Sequence, residues 1–277
     1  MKKSELSTQL YATVFWWSSI LSLIFCTGWT VLTGEWWWIV SVIVANKIIS
    51  PLGAGIAQHR YFAHRSFNTG PLRHKFLLWI SVLSCSGSPI FFTVYHRHHH
   101  KYADTPKDIH SPHVSLADSL GLWITRPAEW FVVNKQMSTF PKDLIRQPDI
   151  AFVHRHYYKF WLAIVIMSLA VGWKMLFLFT LPYIGWFLIS GALSVNVLSH
   201  WKIWGSYRTF ETNDQSYNNQ WIQHWSNQEG LHNNHHQYPS RYDQAVLPGE
   251  FDLAGWIVRK FFDIDLQNTK KLSKNRE

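Results

Sequence analysis

Tyr11 to Thr33 is an apolar run of 23 residues with no charged side chain. As a helix it would be about 34 Å long, enough to cross a hydrocarbon core of about 30 Å. Gly34-Glu35 makes a tight turn, and a second apolar run extends from Trp36 to about Ala57, so the two predict a helical hairpin. Lys2-Lys3 begins the chain as a secretory signal would, but the run is long for a signal core and no A-x-A site follows. Asn46 and Lys47 interrupt the second run. An ionisable residue at that depth is either functional or a snorkelling lysine at a span that ends early, and the second reading is preferred. A third region, Phe160 to Leu198, is broken near Gly172-Trp173-Lys174 and is long enough for two crossings. Phe76 to Phe92 is apolar but interrupted by Gly87, Ser88 and Pro89, and is predicted to lie in or on a membrane without crossing it. The pattern predicts an all-α integral membrane protein with about four transmembrane helices in two hairpins. One domain covers 1–267, and 268–277 reads as a disordered tail.

Composition sharpens this picture at two points. Seventeen tryptophans, several beside apolar runs as in Trp36-Trp37-Trp38, suit a membrane interface. The net charge of +9 comes with no nucleic-acid motif and reads as membrane topology. Of the Lys and Arg residues, 13 lie between Ala57 and Lys159, nine follow Ser199 and two precede the first span, while Lys174 sits in an outer turn. Both termini and the middle loop are therefore expected in the cytoplasm. Cys26 and Cys85 sit in apolar stretches without a C-x-x-C, and read as small buried hydrophobes.

The candidate chemistry is in the histidines. Eight fall into three clusters: His59 and His64 in HRYFAH, His96, His99 and His100 in HRHHH, and His232, His235 and His236 in HNNHH. In a helix, positions i, i+3 and i+4 share a face, so H-x-x-H-H directs three imidazoles to one spot. With 16 histidines about 0.05 such matches are expected by chance, and the chain has two. HRYFAH fits less well, because i and i+5 lie about 140° apart on an α-helix. Either the chain bends there, or its two imidazoles serve different ions. Eight imidazoles are too many for one ion, and a zinc site would want four tetrahedral ligands. Two metals with positions open to oxygen suit the set better. All three clusters fall on the expected cytosolic side, the outer two just after a hairpin returns.

The ordered set H-x4-H, H-x-x-H-H, H-x-x-H-H resembles that of the membrane fatty-acid desaturases. HRYFAHRSF, HRHHHKYADT and EGLHNNHHQYP are similar to signatures of the delta-9 acyl-CoA and acyl-lipid branch, the stearoyl-CoA desaturase-like proteins, over roughly residues 12 to 265. The resemblance implies a four-span protein whose cytosolic cap holds a non-haem di-iron centre. It adds the N-x-x-x-H element, here Asn196 and His200 in NVLSH, with His200 a ninth ligand and Asn196 a contact through water. Asp104, Asp108 and His110 in DTPKDIH match a further family segment, with Ile109 where the family usually has Pro. They and Glu229 are candidates for accepting the N–H groups of the ligands. His98, His74, His113, His154, His156 and His224 are not expected to be ligands.

The implied reaction is oxygen-dependent: a cis double bond, at delta-9, enters a long-chain acyl group. No side-chain base can deprotonate an unactivated methylene, so an iron centre using O2 as co-substrate must do the chemistry. The acyl group would be carried on CoA, acyl carrier protein or a lipid. Two external electrons would come from a separate donor, such as ferredoxin or a small haem protein with its reductase, drawn to the basic cytosolic face. The implied setting is a bacterial inner membrane. A di-iron lipid hydroxylase is the nearest rival, and a non-catalytic metal-binding membrane protein is a more distant one.

Overall fold

The computed structural model describes residues 3–126, 128–137, 141–226 and 228–262. The tail expected at 268–277, and the domain boundary beside it, lie outside the described residues. Helices α1 (Lys3–Thr33) and α2 (Trp37–Ala63) form the first hairpin, turning at Gly34, whose φ of +73° suits a residue without a Cβ. Helix α2 is regular over Trp37–Ile49 and then winds wider over Ser50–Ala63, where the His64 N–H donates to the His59 carbonyl (3.0 Å), five residues back. Pro51 starts this change, because it has no N–H to give the carbonyl of Lys47. The helix itself does not stop near Lys47: it runs on to Ala63, and the Lys47 ammonium donates to the Trp225 carbonyl.

Helices α3 (Pro71–Leu83) and α4 (Pro89–Tyr102) follow, separated by a break at Ser84–Ser88 with positive φ at Cys85 and Gly87. This is the interruption the sequence predicted. Leu72, Phe76, Trp79 and Leu83 form an exposed stripe along α3, while Leu77, Leu78, Ile80 and Val82 are buried. After a short α5 (Ala128–Lys135), α6 (Pro148–Val171) and α7 (Met175–His200) make the second hairpin, turning at Gly172. Among the described residues, three helical stretches are long and apolar enough to cross a membrane: Gln9–Thr33, Trp37–Ala63 and Met175–His200. Helix α6 is long enough too, with 24 residues, but its first half carries Asp149, Arg155 and Lys159, so its apolar stretch begins at Phe160. Helices α8 (Gln220–Trp225), α9 (His232–Gln237) and α10 (Leu253–Phe261) complete the cap. Cys26 and Cys85 are buried free thiols, as expected.

Two devices fix the hairpins against each other. At their tips Glu35 accepts from Trp29 Nε1 (2.9 Å), Trp38 Nε1 (3.1 Å) and the Lys174 ammonium (2.9 Å), tying the first turn to the second. Farther in, Gly185 lets α7 approach α1 so closely that a Cβ there would lie 2.5 Å from the Ser19 carbonyl oxygen. That oxygen belongs to rigid helix backbone and cannot swing aside. Gly185→Val is therefore expected to spread α1 from α7 at a cost of about 1–3 kcal/mol, read as a melting temperature several degrees lower in detergent.

Candidate functional site

Four elements deliver the nine histidines: the end of α2 (His59, His64), α4 (His96, His99, His100), the last turn of α7 (His200) and α9 (His232, His235, His236). The structure brings all nine together in two adjacent groups. His59, His64, His96, His100 and His235 form one, and His99, His200, His232 and His236 the other, with ligand atoms within 4.8 Å of each other in each. His59 and His64 thus share a group. The wide winding of α2 explains it: at about 4.4 residues per turn, i and i+5 are only about 50° apart. The H-x-x-H-H clusters do not converge on single spots as expected. On α4, His96 and His100 join the first group and His99 the second; on α9, His232 and His236 join the second and His235 the first. Positions i and i+4 lie about 40° apart, but i+3 and i+4 about 100° apart, so each cluster straddles both groups.

In the first group Nε2 faces Nε2 at 2.9 Å (His59–His235), 2.6 Å (His64–His96), 3.0 Å (His96–His100) and 2.9 Å (His100–His235). In the second, His232 Nε2 is 3.1 Å from that of both His200 and His236. Four carboxylates fix the opposite edges of the rings. Glu229 lies 2.8 Å from His59 Nδ1, Asp108 2.8 Å from His99 Nδ1, Asp104 2.8 Å from His200 Nδ1 and Asp214 2.9 Å from His236 Nδ1. An Nδ1–H given to a carboxylate leaves Nε2 as a bare acceptor. His232 Nε2 faces two such acceptors, on His200 and His236, with at most one proton to give, so that contact is unfavourable unless a cation lies among the rings. Two ligands at right angles on an ion with bonds of about 2.1 Å would be about 3 Å apart, close to the spacings found. The donor set therefore fits metal ions.

The electrostatics agree. Burial, aided by neighbouring histidines, holds His96, His100, His232 and His235 well below the usual imidazole range, which leaves them neutral and able to ligate. Burial works to raise Asp104, Asp108 and Asp214, yet their histidine partners keep all three well below the usual carboxylate range. Glu229 is the exception: burial pushes it up to about 7 against the pull of Arg60. A dication bound beyond His59 would favour its ionised form.

Three of the four expected acceptors therefore meet a ring edge. His110 does not: its Nδ1 is 4.0 Å from Asp108 and its ring packs on His99 at 4.5 Å. Ile109 is buried where a proline was expected, and the turn is closed instead by the His110 N–H donating to Asp108 Oδ1 (3.2 Å). Asn196 lies in neither histidine group; its Nδ2 donates to the Ser119 carbonyl (3.0 Å). Four of the six excluded histidines have other partners: His98 Nε2 is 3.0 Å from the Lys107 carbonyl, His113 Nε2 2.9 Å from the His200 carbonyl, and His74 and His154 meet Asp149 and Ser88.

Sequence reasoning missed Asp214. It lies 22 residues before His236 in a loop of its own, with no spacing that ties it to a cluster. Asp214→Asn is expected to lower activity about 10–100-fold with the protein still folded; activity within two-fold of wild type would show that His236 needs no anionic partner. The asparagines of HNNHH were missed as well. Asn233 Oδ1 accepts from the Thr209 and Phe210 N–H groups (2.9 Å each), and Asn234 Nδ2 donates to Glu250 (2.9 Å), so they hold the short α9 in place. Gly230 is required ahead of it, because a Cβ there would lie 2.1 Å from the Gln223 amide nitrogen.

A cavity with about 1340 Å³ of empty space, part of it open to the outside, runs along the site. Phe15, Cys85, Phe91, Tyr157, Phe187 and Leu188 line its apolar side. His96, His99, His232, Glu229 and Asn196 stand on the wall facing the histidine groups. The arrangement can hold a long apolar chain beside two metal ions.

The family model for fatty acid desaturases matches residues 35–246. The chain is 33% identical to the delta-9 acyl-lipid desaturase 2 of Arabidopsis thaliana over 222 residues, 78% of this chain and 69% of that one. It is 31% identical to the delta-9 acyl-lipid desaturase 1 of the same plant, over 85% of this chain and 76% of that one. It is 28% identical to the sn-2 palmitoyl-lipid 9-desaturase of Nostoc sp. (strain 36), over 79% and 76%. The chain belongs to the fatty acid desaturase family and is a membrane-bound oxidoreductase, a fatty acyl desaturase.

Proposed function

We propose that the two histidine groups hold two iron ions and that the enzyme places a cis double bond at C9 of a long-chain acyl group carried on a membrane lipid. The observation that carries this reading is the apolar cavity whose wall includes members of both groups. The position and the lipid carrier rest on the relatives, which are named for C9 and for acyl lipids. The reaction balances as R–CH2–CH2–R′ + O2 + 2 H⁺ + 2 e⁻ → R–CH=CH–R′ + 2 H2O. Two of the four electrons come from the substrate and two from a separate donor, a ferredoxin or a small haem protein with its reductase.

His59, His64, His96, His100 and His235 would hold one ion, and His99, His200, His232 and His236 the other, with Asn196 contacting it through water. Bound iron would supply the oxygen chemistry that no side chain here can perform. The rest falls to the chain's own residues. Phe15, Phe91, Phe187 and Leu188 bind and orient the acyl chain and exclude water. Asp104, Asp108 and Asp214 accept from Nδ1 of His200, His99 and His236, so that each Nε2 points inward, and Glu229 stands 2.8 Å from His59 Nδ1. With 13 Lys and Arg residues in the middle region, the histidine side of the protein faces the cytoplasm, as do both termini.

The test is expression in a desaturase-deficient host with an active reductase system, followed by fatty-acid profiling. A new monoene unsaturated at C9 and esterified in lipid is expected. Absence of any new unsaturated species would overturn the reading; a hydroxylated acyl group would move it to the hydroxylase alternative.

A further inference from the structure

Many tryptophans of this protein lie along the spans or at their tips, but three in the polar cap are more than half exposed. Trp204 is 79%, Trp221 56% and Trp225 70% open. They are held by defined structure. Asn219 Nδ2 donates to the Trp204 carbonyl (2.9 Å), the rings of Trp204 and Trp221 are 5.7 Å apart, and Trp225 closes α8. Helix α2 touches this patch. Lys47 donates to the Trp225 carbonyl and places its ammonium 4.8 Å over the Trp225 ring. Lys47 sits on the flank of α2 where Val44 (51%) and Ile48 (57%) are exposed. That flank can only face lipid if α2 crosses the membrane.

We propose that Trp204, Trp221 and Trp225 embed the cap in the leaflet on the histidine side, with Lys47 as the latch that sets its depth. The partner is the bilayer itself, and three observations favour it over a soluble protein. The patch continues the lipid-facing flank of a span through the Lys47–Trp225 contact. It is built from the side chain that prefers the headgroup level, where an indole buries its ring and keeps its N–H wet. The tips of the same hairpins use the same side chain, with Trp36 (57%), Trp37 (58%) and Trp173 (45%) exposed. Lys47 and the exposed Lys202 then lie where anionic headgroups can meet them.

The consequence is mechanical. Residues 201–225 join His200 to the turn that carries Glu229, so lipid contact holds both ends of that connection at one level. An acyl chain could then reach the cavity while its headgroup stays at the interface. The inference rests on the chain being a membrane protein and not on the reaction it performs, so its test reads position and not product.

Single nitroxides are placed at Lys202→Cys, which keeps all three tryptophans, and at Trp221→Cys, in the metal-loaded full chain in phospholipid nanodiscs. Cys26 and Cys85 are buried and leave the new thiol as the reactive one. Glu211→Cys, exposed elsewhere in the cap, serves as the reference. Relaxation by a water-soluble nickel chelate is expected to be several-fold weaker at 202 and 221 than at 211, and relaxation by oxygen stronger. Equal nickel access at all three positions would overturn the proposal. So would protection at 202 and 221 that appears only when a soluble electron donor is added, because the patch would then be a protein-docking face. The fatty-acid profile of the host reports separately on the desaturase reading.

Discussion

His235→Ala is expected to reduce product formation by well over 100-fold, beyond the range that loss of an outer partner produces. His235 is 1% exposed, and its Nε2 lies 2.9 Å from the Nε2 atoms of both His59 and His100. It is the α9 member of the five-histidine group, where it joins that helix to His59 and His64 from α2 and to His96 and His100 from α4. Metal content is expected to fall from about two ions per chain toward one, because the second group keeps all four of its imidazoles. The matched control is His98→Ala, in the same HRHHH string. His98 turns away to the Lys107 carbonyl, and its loss should leave metal content and product near wild type. Equal metal content and activity in the two variants would remove the ligand assignment, since burial and motif membership would then be all that distinguishes them.

That contrast shows how far the sequence could be read. Repeated histidines at i, i+3 and i+4 identify which imidazoles take part, because few structural needs place three on one helical turn. They do not say which of the two groups each joins. The division depends on the angle at which α4 and α9 face each other, a tertiary quantity that local spacing does not encode. HRYFAH was harder. On an α-helix its histidines diverge, and only the wider winding that begins at Pro51 brings His59 and His64 together. The proline was visible, but a proline can end, kink or widen a helix, and nothing local selects among these. The hairpins were legible for a simpler reason: long uncharged runs broken at Gly34 and Gly172 have few other solutions. Asp214 was not, because a lone acid in a polar loop has the same appearance whether or not a ring lies across from it.

Arg60 belongs to the same hidden layer, and its replacement should have the largest effect on stability. Its guanidinium is 1% exposed and lies 3.0 Å from Glu229 and 3.0 Å from Asp252, with the Gln228 and Gly55 carbonyls as further acceptors. Gln244 donates to Glu229 Oε2 (2.7 Å) and Gln223 to Asp252 (3.3 Å), so the cation is the centre of a buried network. Arg60→Met keeps much of the stem's volume and removes the charge, leaving two carboxylates without their counter-ion. Breaking a buried pair in this way costs about 3–5 kcal/mol. For a chain of this size that corresponds to a melting temperature lower by about 10 °C. The change also reaches the metal site. Burial already pushes Glu229 up to about 7 with Arg60 opposing it, so without the cation it rises further and is protonated at neutral pH. A neutral acid 2.8 Å from His59 Nδ1 no longer sets a negative charge beside that ring, which weakens the hold on its orientation. Arg60→Met protein is therefore expected to bind metal less tightly, and the deficit should shrink as pH rises and ionises Glu229 again. Arg60→Lys, which restores a charge but not the fork that spans two carboxylates, should recover only part of both effects. A melting temperature within about 2 °C of wild type for the methionine variant would mean that the network is not held by its charge.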